Sequence, residues 1–101
     1  MDSAAAVSVN GVSIRLPDER WEHIIEGHLD LDGYRNDVLE VIGRPDAVYQ
    51  GRSGSLIAVR NYGPRGKLAV FYRESSSDDG FIITARFLRV LPRTRKVWPP
   101  R

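Results

Sequence analysis

The spacing of apolar residues changes at about residue 46. From about residue 18 to that point they recur every three or four positions, whereas after it they alternate with polar residues in short runs. The first spacing is typical of helices and the second of strands. The alternating part predicts four strands, separated by the connections GRSG, GPRG and SSSDDG, at 46–50, 56–62, 67–74 and 81–88. Connections this short join neighbouring antiparallel strands, so an antiparallel meander is expected.

The chain opens with the pattern of a β-hairpin. Asn10-Gly11 supplies the positive φ angles of a tight turn between apolar strands at 7–9 and 12–16. Pro17 or Asp18 then closes the second strand and borders a helix, because proline is tolerated in a first turn and an acidic residue meets the helix dipole.

Two helices are expected between the hairpin and the meander. The first runs to about Gly27 or His28, with apolar residues at i, i+3 and i+4. The second spans about 33–42, and Gly43 is a suitable C-terminal stop. The predicted fold class is therefore α+β, with an N-terminal β-hairpin and two helices packed on one face of a four-stranded antiparallel sheet.

The chain length of 101 residues allows one hydrophobic core. We expect a single domain over 1–91, followed by a flexible basic C-terminal tail over 92–101. Val97 and Trp98 in that tail could instead dock on a partner or on the domain itself.

Two absences limit the classes of site and compartment. The sequence contains no cysteine, which excludes disulfides and thiolate metal sites and fits a reducing compartment. It also lacks an apolar run long enough to span a bilayer and a secretory signal. A soluble, cytoplasmic protein without membrane contact is expected.

The charges are divided unevenly between the two halves. Residues 1–50 carry four arginines against ten acidic residues, net −6, whereas residues 51–101 carry eleven basic residues against three acidic ones, net +8. Thirteen of the fifteen basic residues are arginine, whose guanidinium can hold a phosphate with two hydrogen bonds. The second half is therefore a candidate phosphate-binding surface, although an arginine-rich proteome and an ordinary dipolar fold would give the same totals.

The two histidines, His23 and His28, have the wrong spacing for a helical metal site. Zinc pairs on helices lie four residues apart, whereas a separation of five rotates the side chains by about 500° and leaves them roughly 140° apart. Neither zinc nor another cofactor is expected. His28 falls on the apolar stripe with Trp21, and His23 lies nearer the solvent side with the glutamates. The alternative for His28 is a boundary histidine bonded to backbone.

The predicted sheet offers one basic face. Alternation on the last strand favours Phe81, Ile83, Ala85 and Phe87 as the core set, which leaves Ile82, Thr84, Arg86 and Leu88 on the other face. A face that joins Thr84 and Arg86 to Arg60, Tyr62 and either Arg73 or Tyr72 would suit single-stranded RNA, since unpaired bases stack on aromatic rings and phosphates bind arginine. The alternative is an ordinary solvated sheet face.

Four ordered motifs carry a resemblance to a known family: LPDERWEHIIEGH, RPDAVY, KLAVFYRE and GFIITARF. Together they resemble the phage-associated nuclease-like families of the barnase/EndoU/colicin/RelE (BECR) ribonuclease superfamily. The resemblance implies helices packed on a four-stranded antiparallel sheet. It also implies a metal-independent endoribonuclease, often a toxin of a toxin–antitoxin or phage-related system, with RNA as substrate and an antitoxin protein as a possible partner.

Matching the motifs position by position implies three catalytic residues. His28 would act as base or acid, Arg73 would stabilise charge on the phosphate, and Thr84 would bind phosphate or ribose. Second choices for substrate contact are Arg60, Lys67, Tyr72, Arg86 and Arg52. Arg86 stands where these families commonly carry an aromatic residue.

The implied reaction is attack of a ribose 2′-OH on the adjacent phosphate, giving a 2′,3′-cyclic phosphate and a free 5′-OH. On this hypothesis His28 and Thr84 should open onto one shared basic cleft. The competing hypotheses are a catalytically inactive BECR-like domain that binds RNA or a protein partner, and a small interaction protein that associates head to tail through its charge asymmetry.

Overall fold

The protein forms a seven-stranded mixed sheet with two helices on one face. The structure is a computed structural model and describes residues 4–100. Its elements, in chain order, are β1 (Ala4–Val7), β2 (Ser13–Leu16), α1 (Asp18–Gly27), α2 (Arg35–Gly43), β3 (Ala47–Gln50), β4 (Leu56–Asn61), β5 (Lys67–Glu74), β6 (Gly80–Leu88) and β7 (Lys96–Trp98). The strand order is β1-β2-β6-β5-β4-β3-β7. Every pairing is antiparallel except that of β2 with β6.

The α+β class is confirmed, but the prediction of a four-stranded antiparallel sheet is wrong. The four predicted strands form the centre, and the N-terminal hairpin extends the sheet at one edge through a parallel pairing of Ile14 with Gly80. At the other edge, β7 pairs with β3. The parallel pairing joins residues 66 positions apart and β7 has three residues, so neither leaves a local pattern in the sequence.

The C-terminal segment was expected to be a loose tail over 92–101. Its residues Lys96–Trp98 instead form β7, which corresponds to docking of Val97 and Trp98 on the domain itself. A backbone hydrogen bond of 2.8 Å from the Gln50 N–H to the Arg95 carbonyl fixes the start of this strand.

The two helices form close to the predicted positions because each buries one apolar face. Trp21 and Ile24 of α1 are buried, and α2 buries Val38, Val41 and Ile42. At the end of α1, the backbone of His28 turns away with φ −143° while its N–H still donates to the Ile24 carbonyl at 3.0 Å. No helix within residues 4–100 is both long and apolar enough to cross a membrane.

Both faces of the sheet carry a hydrophobic cluster. The larger core lies between the helices and the sheet and includes Leu68, Val70 and Tyr72 of β5. On the opposite face, which we call the open face, Val59 and Ala69 are only 1% and 0% exposed. Residues 89–95, which we call the crossing segment, pass over this face from β6 to β7, and Leu91 lines a groove beside Val59.

Gly80 marks the tightest packing in the centre of the sheet. A Cβ at this position would meet the Arg73 carbonyl oxygen and would lie 2.7 Å from Ile14 Cδ1. We expect Gly80→Ala to lower the free energy of unfolding by about 2 kcal/mol, since the backbones of β5 and β6 would have to separate and the end of the Ile14 side chain would have to move. Urea denaturation measures the change.

The matched control is Gly27→Ala at the end of α1, where a Cβ has no atom within 4 Å. Because alanine is the better helix former, this variant should be at least as stable as the wild type. Equal stability of Gly80→Ala and Gly27→Ala would contradict the tight packing at Gly80.

Candidate functional site

A β-bulge in β6 determines which side chains reach the open face. Phe71 is paired with Thr84, but the next residue of β5, Tyr72, is paired with Ile82, so Ile83 is an extra residue without a direct partner. A bulge of this kind reverses the alternation on one side of it. Ile83 and Thr84 consequently line the same cleft on the open face, although they are adjacent in sequence.

The bulge corrects the predicted facing of β6. Ala85 and Phe87 pack in the helix-side core as predicted, but Ile82 joins them, fully buried. Phe81 and Ile83, which were assigned to the core set, contribute to cavities outside it. Strict alternation fails between Ile83 and Thr84, so the predicted facing is wrong for Phe81, Ile82 and Ile83. The sequence carries no sign of the extra residue.

A basic cleft of 630 Å³ lies on the open face. Its apolar floor consists of Ile57, Phe71 and Ile83, and its polar lining includes Arg52, Ser53, Arg73, Thr84, Arg86 and Thr94. We call it the open-face cleft. No acidic residue of the described part of the chain lines it, so three arginines lie together there without a carboxylate to neutralise them.

Two of the three arginines are held in place by contacts within the cleft. The guanidinium of Arg86 lies over the ring of Phe71, 5.2 Å from its centroid. Arg73 donates from Nη1 to the carbonyl of Ser53 at 2.6 Å. Ser53 has a φ of +53°, a conformation that costs a residue with a side chain roughly 1 kcal/mol or more. The hydrogen bond from Arg73 therefore fixes a strained loop at the rim of the cleft.

The structure brings together four of the predicted site residues: Arg52, Arg73, Thr84 and Arg86 line the open-face cleft. Lys67 is on the same face but lines a neighbouring groove with Leu91. Thr94 of the crossing segment was not predicted, because it lies in a segment that was expected to be a loose tail.

Arg60 and Tyr72 lie on the helix side, so the prediction that either belongs to the basic face is wrong. Arg60 donates to the Arg44 carbonyl at 3.1 Å and lies 3.8 Å from a Glu40 carboxylate oxygen of α2. Tyr72 is fully buried in the core. The alternation within β4 and β5 was predicted correctly. The predicted facing of β4 was wrong, and the facing of β5 had been left open between Arg73 and Tyr72.

Tyr62 also faces the helices rather than the open face. Its hydroxyl donates to Asp37 at 2.8 Å, and burial together with this carboxylate raises the pKa of Tyr62 to about 12. Its ring packs edge-on against Tyr34 and Phe87.

His28 is not part of the open-face cleft. It lies at the C-terminal end of α1, half-buried on the helix side, and none of its atoms lines the cleft that contains Thr84. The expectation that His28 and Thr84 share one cleft is wrong. The apolar stripe that directs this face of α1 to the core also keeps it on the far side of the sheet from Thr84.

The other histidine, His23, borders a second concavity, of 490 Å³, at the start of α1. Glu19, Arg20 and His23 of the helix line it, together with Arg15 of β2 and Phe81 of β6. We call it the helix-start cavity. Sequence reasoning left His23 as a surface residue, although its spacing of four from Glu19 and three from Arg20 already predicted one shared helix face.

Arg15 is anchored at the edge of the helix-start cavity. It donates from Nε and from Nη2 to the two carboxylate oxygens of Asp79, at 2.9 and 3.1 Å. The hydrogen bonds to Arg15 lower the pKa of Asp79, and the same bonds raise the pKa of Arg15. The guanidinium is thus held in one orientation and stays charged.

Phe81 connects the two concavities. It is paired with Arg73 on one side and with Arg15 on the other, so a row of Arg73, Phe81 and Arg15 crosses three neighbouring strands. Directly paired residues project to the same face of a sheet, and neighbouring strands lie about 4.8 Å apart. An extended ligand can therefore contact the open-face cleft and the helix-start cavity together.

Within residues 4–100, no group of three or more His, Cys, Asp or Glu side chains has an arrangement that could hold a metal ion.

Comparisons with known proteins returned no match. No family model, no curated protein and no solved structure matches the chain. The resemblance to BECR nucleases therefore stays a prediction from the sequence motifs, and the functional argument depends on the geometry of the site.

Tyr72 offers a test of its structural placement. Its hydroxyl is buried and has no hydrogen-bond partner among the described residues, and burial, followed by the charge of Glu74, raises its pKa. A buried unpaired hydroxyl is destabilising, so we expect Tyr72→Phe to raise the free energy of unfolding by about 1 kcal/mol. Urea denaturation provides the measurement.

The matched variant is Tyr62→Phe, which removes the same atom but breaks the hydrogen bond to Asp37. It should lower the free energy of unfolding by about 1 kcal/mol. A loss of stability in Tyr72→Phe equal to that in Tyr62→Phe would mean that the Tyr72 hydroxyl has a partner.

Proposed function

We propose that this domain binds single-stranded RNA in the open-face cleft. The observation that carries the proposal is the convergence of Arg52, Arg73 and Arg86 in a cleft without an acidic residue. Such a cleft attracts a polyanion, and guanidinium groups bind phosphate oxygens through paired hydrogen bonds.

The lining of the cleft favours unpaired nucleotides over a duplex. Bases that are splayed out from a single strand stack on aromatic rings and on guanidinium planes. Arg86 over Phe71 supplies both kinds of surface at one position. Thr84, Ser53 and Thr94 add hydroxyl groups that can bond a base edge or a ribose 2′-OH.

The crossing segment adds positive charge beside the cleft. Arg89, Arg93 and Arg95 are exposed on it, and Thr94 between them lines the cleft. These three arginines add to Arg52, Arg73 and Arg86 around the cleft, which strengthens the long-range attraction to RNA.

Arg86→Ala tests the binding proposal. It removes a charge and a stacking surface, so we expect at least a tenfold loss of affinity for a short unstructured RNA, since a stacked base contributes about 1–3 kcal/mol. Fluorescence anisotropy over a series of salt concentrations should also show that the affinity of the variant depends less steeply on salt, by about one released counterion.

Two controls accompany this measurement. Arg44→Ala removes an exposed arginine on the helix side and should leave the affinity unchanged. Arg86→Lys keeps the positive charge but loses the planar guanidinium on which a base can stack. Its affinity for RNA should therefore lie between those of Arg86→Ala and the wild type. Equal affinities of Arg86→Ala and Arg44→Ala would contradict binding in the cleft.

A second candidate function is metal-independent endoribonuclease activity, as the resemblance to BECR nucleases implies. The observation that favours it is the helix-start cavity, where Glu19 and His23 lie beside Arg15 and Arg20 and connect over Phe81 to the open-face cleft. Acid–base catalysis of RNA cleavage needs groups of these types near a bound phosphate.

The reaction can be written with every atom accounted for. The Glu19 carboxylate takes the proton of a ribose 2′-OH, the 2′-oxygen forms a bond to phosphorus, and the bond from phosphorus to the 5′-oxygen breaks. Protonated His23 gives its proton to that leaving oxygen. The products are a 2′,3′-cyclic phosphate and a free 5′-OH, and Arg15 and Arg20 offset the charge that develops on the phosphate.

This assignment replaces His28 with His23 as the proton carrier and keeps Arg73 and Thr84 as contacts to the substrate. On this candidate function, the protein would act on cellular RNA in the cytoplasm. A toxin role with an antitoxin partner belongs to the same proposal.

Cleavage of total RNA in EDTA separates the two histidines. The wild type should give products ending in 2′,3′-cyclic phosphate, and His23→Ala should slow their formation by about 100-fold or more. His28→Ala should cleave at the wild-type rate, and His23→Ala should still bind RNA in the anisotropy assay.

The outcomes distinguish the two candidate functions. Binding without cleavage by the wild type leaves RNA binding as the function and eliminates the nuclease. If His28→Ala failed to cleave RNA while His23→Ala still cleaved it, the assignment of the helix-start cavity as the catalytic site would be contradicted.

A further inference from the structure

A third cavity, of 350 Å³, lies on the helix side of the sheet and shares Gln50 and Ser55 with the lining of the open-face cleft. The hairpin turn between β1 and β2 borders it with Val9 and Asn10, and the end of β5 contributes Glu74. Strand β7 contributes Trp98, and its paired residue in β3, Val48, also lines the cavity. Among residues 4–100, no lysine or arginine lines this cavity, in contrast to the other two concavities.

Glu74 is the charged group of the cavity, and the described residues that bond to it are neutral. Its Oε2 accepts a hydrogen bond of 2.6 Å from Ser8 Oγ. Asn10 Nδ2 lies 3.1 Å from Oε1 and 3.3 Å from Oε2. These donors hold the carboxylate in one orientation without neutralising its charge.

Within residues 4–100, no basic side chain forms an ion pair with Glu74. The adjacent Arg73 projects to the open face, where it donates to Ser53. This is unusual in a chain with fifteen basic and thirteen acidic residues, because a partly buried carboxylate normally attracts a cation.

Trp98 supplies a second feature that favours a cation. Its side chain is half-buried against the core and also lines the cavity, so part of the ring system is open to a ligand. Tryptophan is the aromatic residue that attracts cations most strongly. Asn10, Gln50 and Ser55 add polar groups around the rim.

We propose that this cavity binds a guanidinium group. A planar guanidinium can bond the fixed Glu74 carboxylate through two N–H groups and stack on an aromatic face, which a spherical ammonium ion does less well. A calcium or magnesium ion is a poor fit, because one carboxylate and two amides cannot supply its coordination shell. The volume is in the range of small-ligand sites and accommodates an arginine side chain.

The guanidinium could belong to an arginine of a protein or to a free small molecule. The experiment uses one probe for each: N-acetyl-arginine methylamide for the peptide-borne group and agmatine for the free one. N-acetyl-citrulline methylamide is the neutral control, since it has the shape of arginine without the charge. Each is titrated into the full-length protein labelled with ¹⁵N.

The two tryptophans provide an internal reference. We expect the indole N–H signal of Trp98 to move with either or both cationic probes and not with the citrulline probe. The signal of Trp21, which lies on the buried face of α1, should stay in place. A stronger response to the peptide-borne probe identifies a protein partner, and a stronger response to agmatine identifies a small molecule.

Glu74→Gln keeps a hydrogen-bond acceptor and the shape of the side chain but removes its negative charge. Binding of the cationic probes should therefore weaken roughly tenfold or more. Glu26→Gln, an exposed position on α1, should bind as the wild type does. Equal responses of the wild type to the citrulline and arginine probes would overturn the proposal, and so would equal affinities of Glu74→Gln and Glu26→Gln for the cationic probes. It would also be overturned if neither cationic probe gave a response at 10 mM, which is about ten times a weak millimolar dissociation constant. The citrulline comparison uses only wild-type protein, so it holds even if Glu74→Gln fails to fold.

Discussion

The antiparallel pairing of β5 with β6, with one extra residue at Ile83, is the constraint on which both the core and the proposed site depend. On one side of the bulge, Tyr72 and Ile82 face the helices together, and on the other side Val70 and Ala85 do the same. The core is therefore continuous along β6. Thr84 and Arg86 are left on the open face beside Phe71.

The chain uses the two faces of the sheet for different purposes. The helix side holds the larger core, where Tyr62 is bonded to Asp37 and Arg60 to the Arg44 carbonyl. The crossing segment passes over the open face. Its arginines lack acidic neighbours in the cleft, so their charge is available to an external anion.

The sequence predicted the local elements well because they depend on local patterns. Both helices, the Asn10-Gly11 hairpin and the four central strands lie within a few residues of the predicted positions. The unequal distribution of charge also pointed correctly to residues that meet, since Arg52, Arg73 and Arg86 come from separate segments and line one cleft.

What could not be predicted depends on contacts between distant residues. The parallel pairing of β2 with β6, the bulge at Ile83 and the docking of β7 are all determined by register, which a single sequence does not record. The assignment of His28 was wrong for a related reason. Its position on the helix was predicted correctly. The face of the sheet that the helix covers could not be predicted, and this face determines that His23, and not His28, lies near the arginines.

The central claim is that the open face binds RNA, and backbone amide chemical-shift mapping with a short unstructured RNA tests it most directly. The account predicts that shifts concentrate at 52–55, 71–73, 83–86 and 93–95, and that the amides of α2 and of the hairpin turn at Asn10 stay in place. Shifts confined to the helix side, or no shifts at all at low salt, would contradict it.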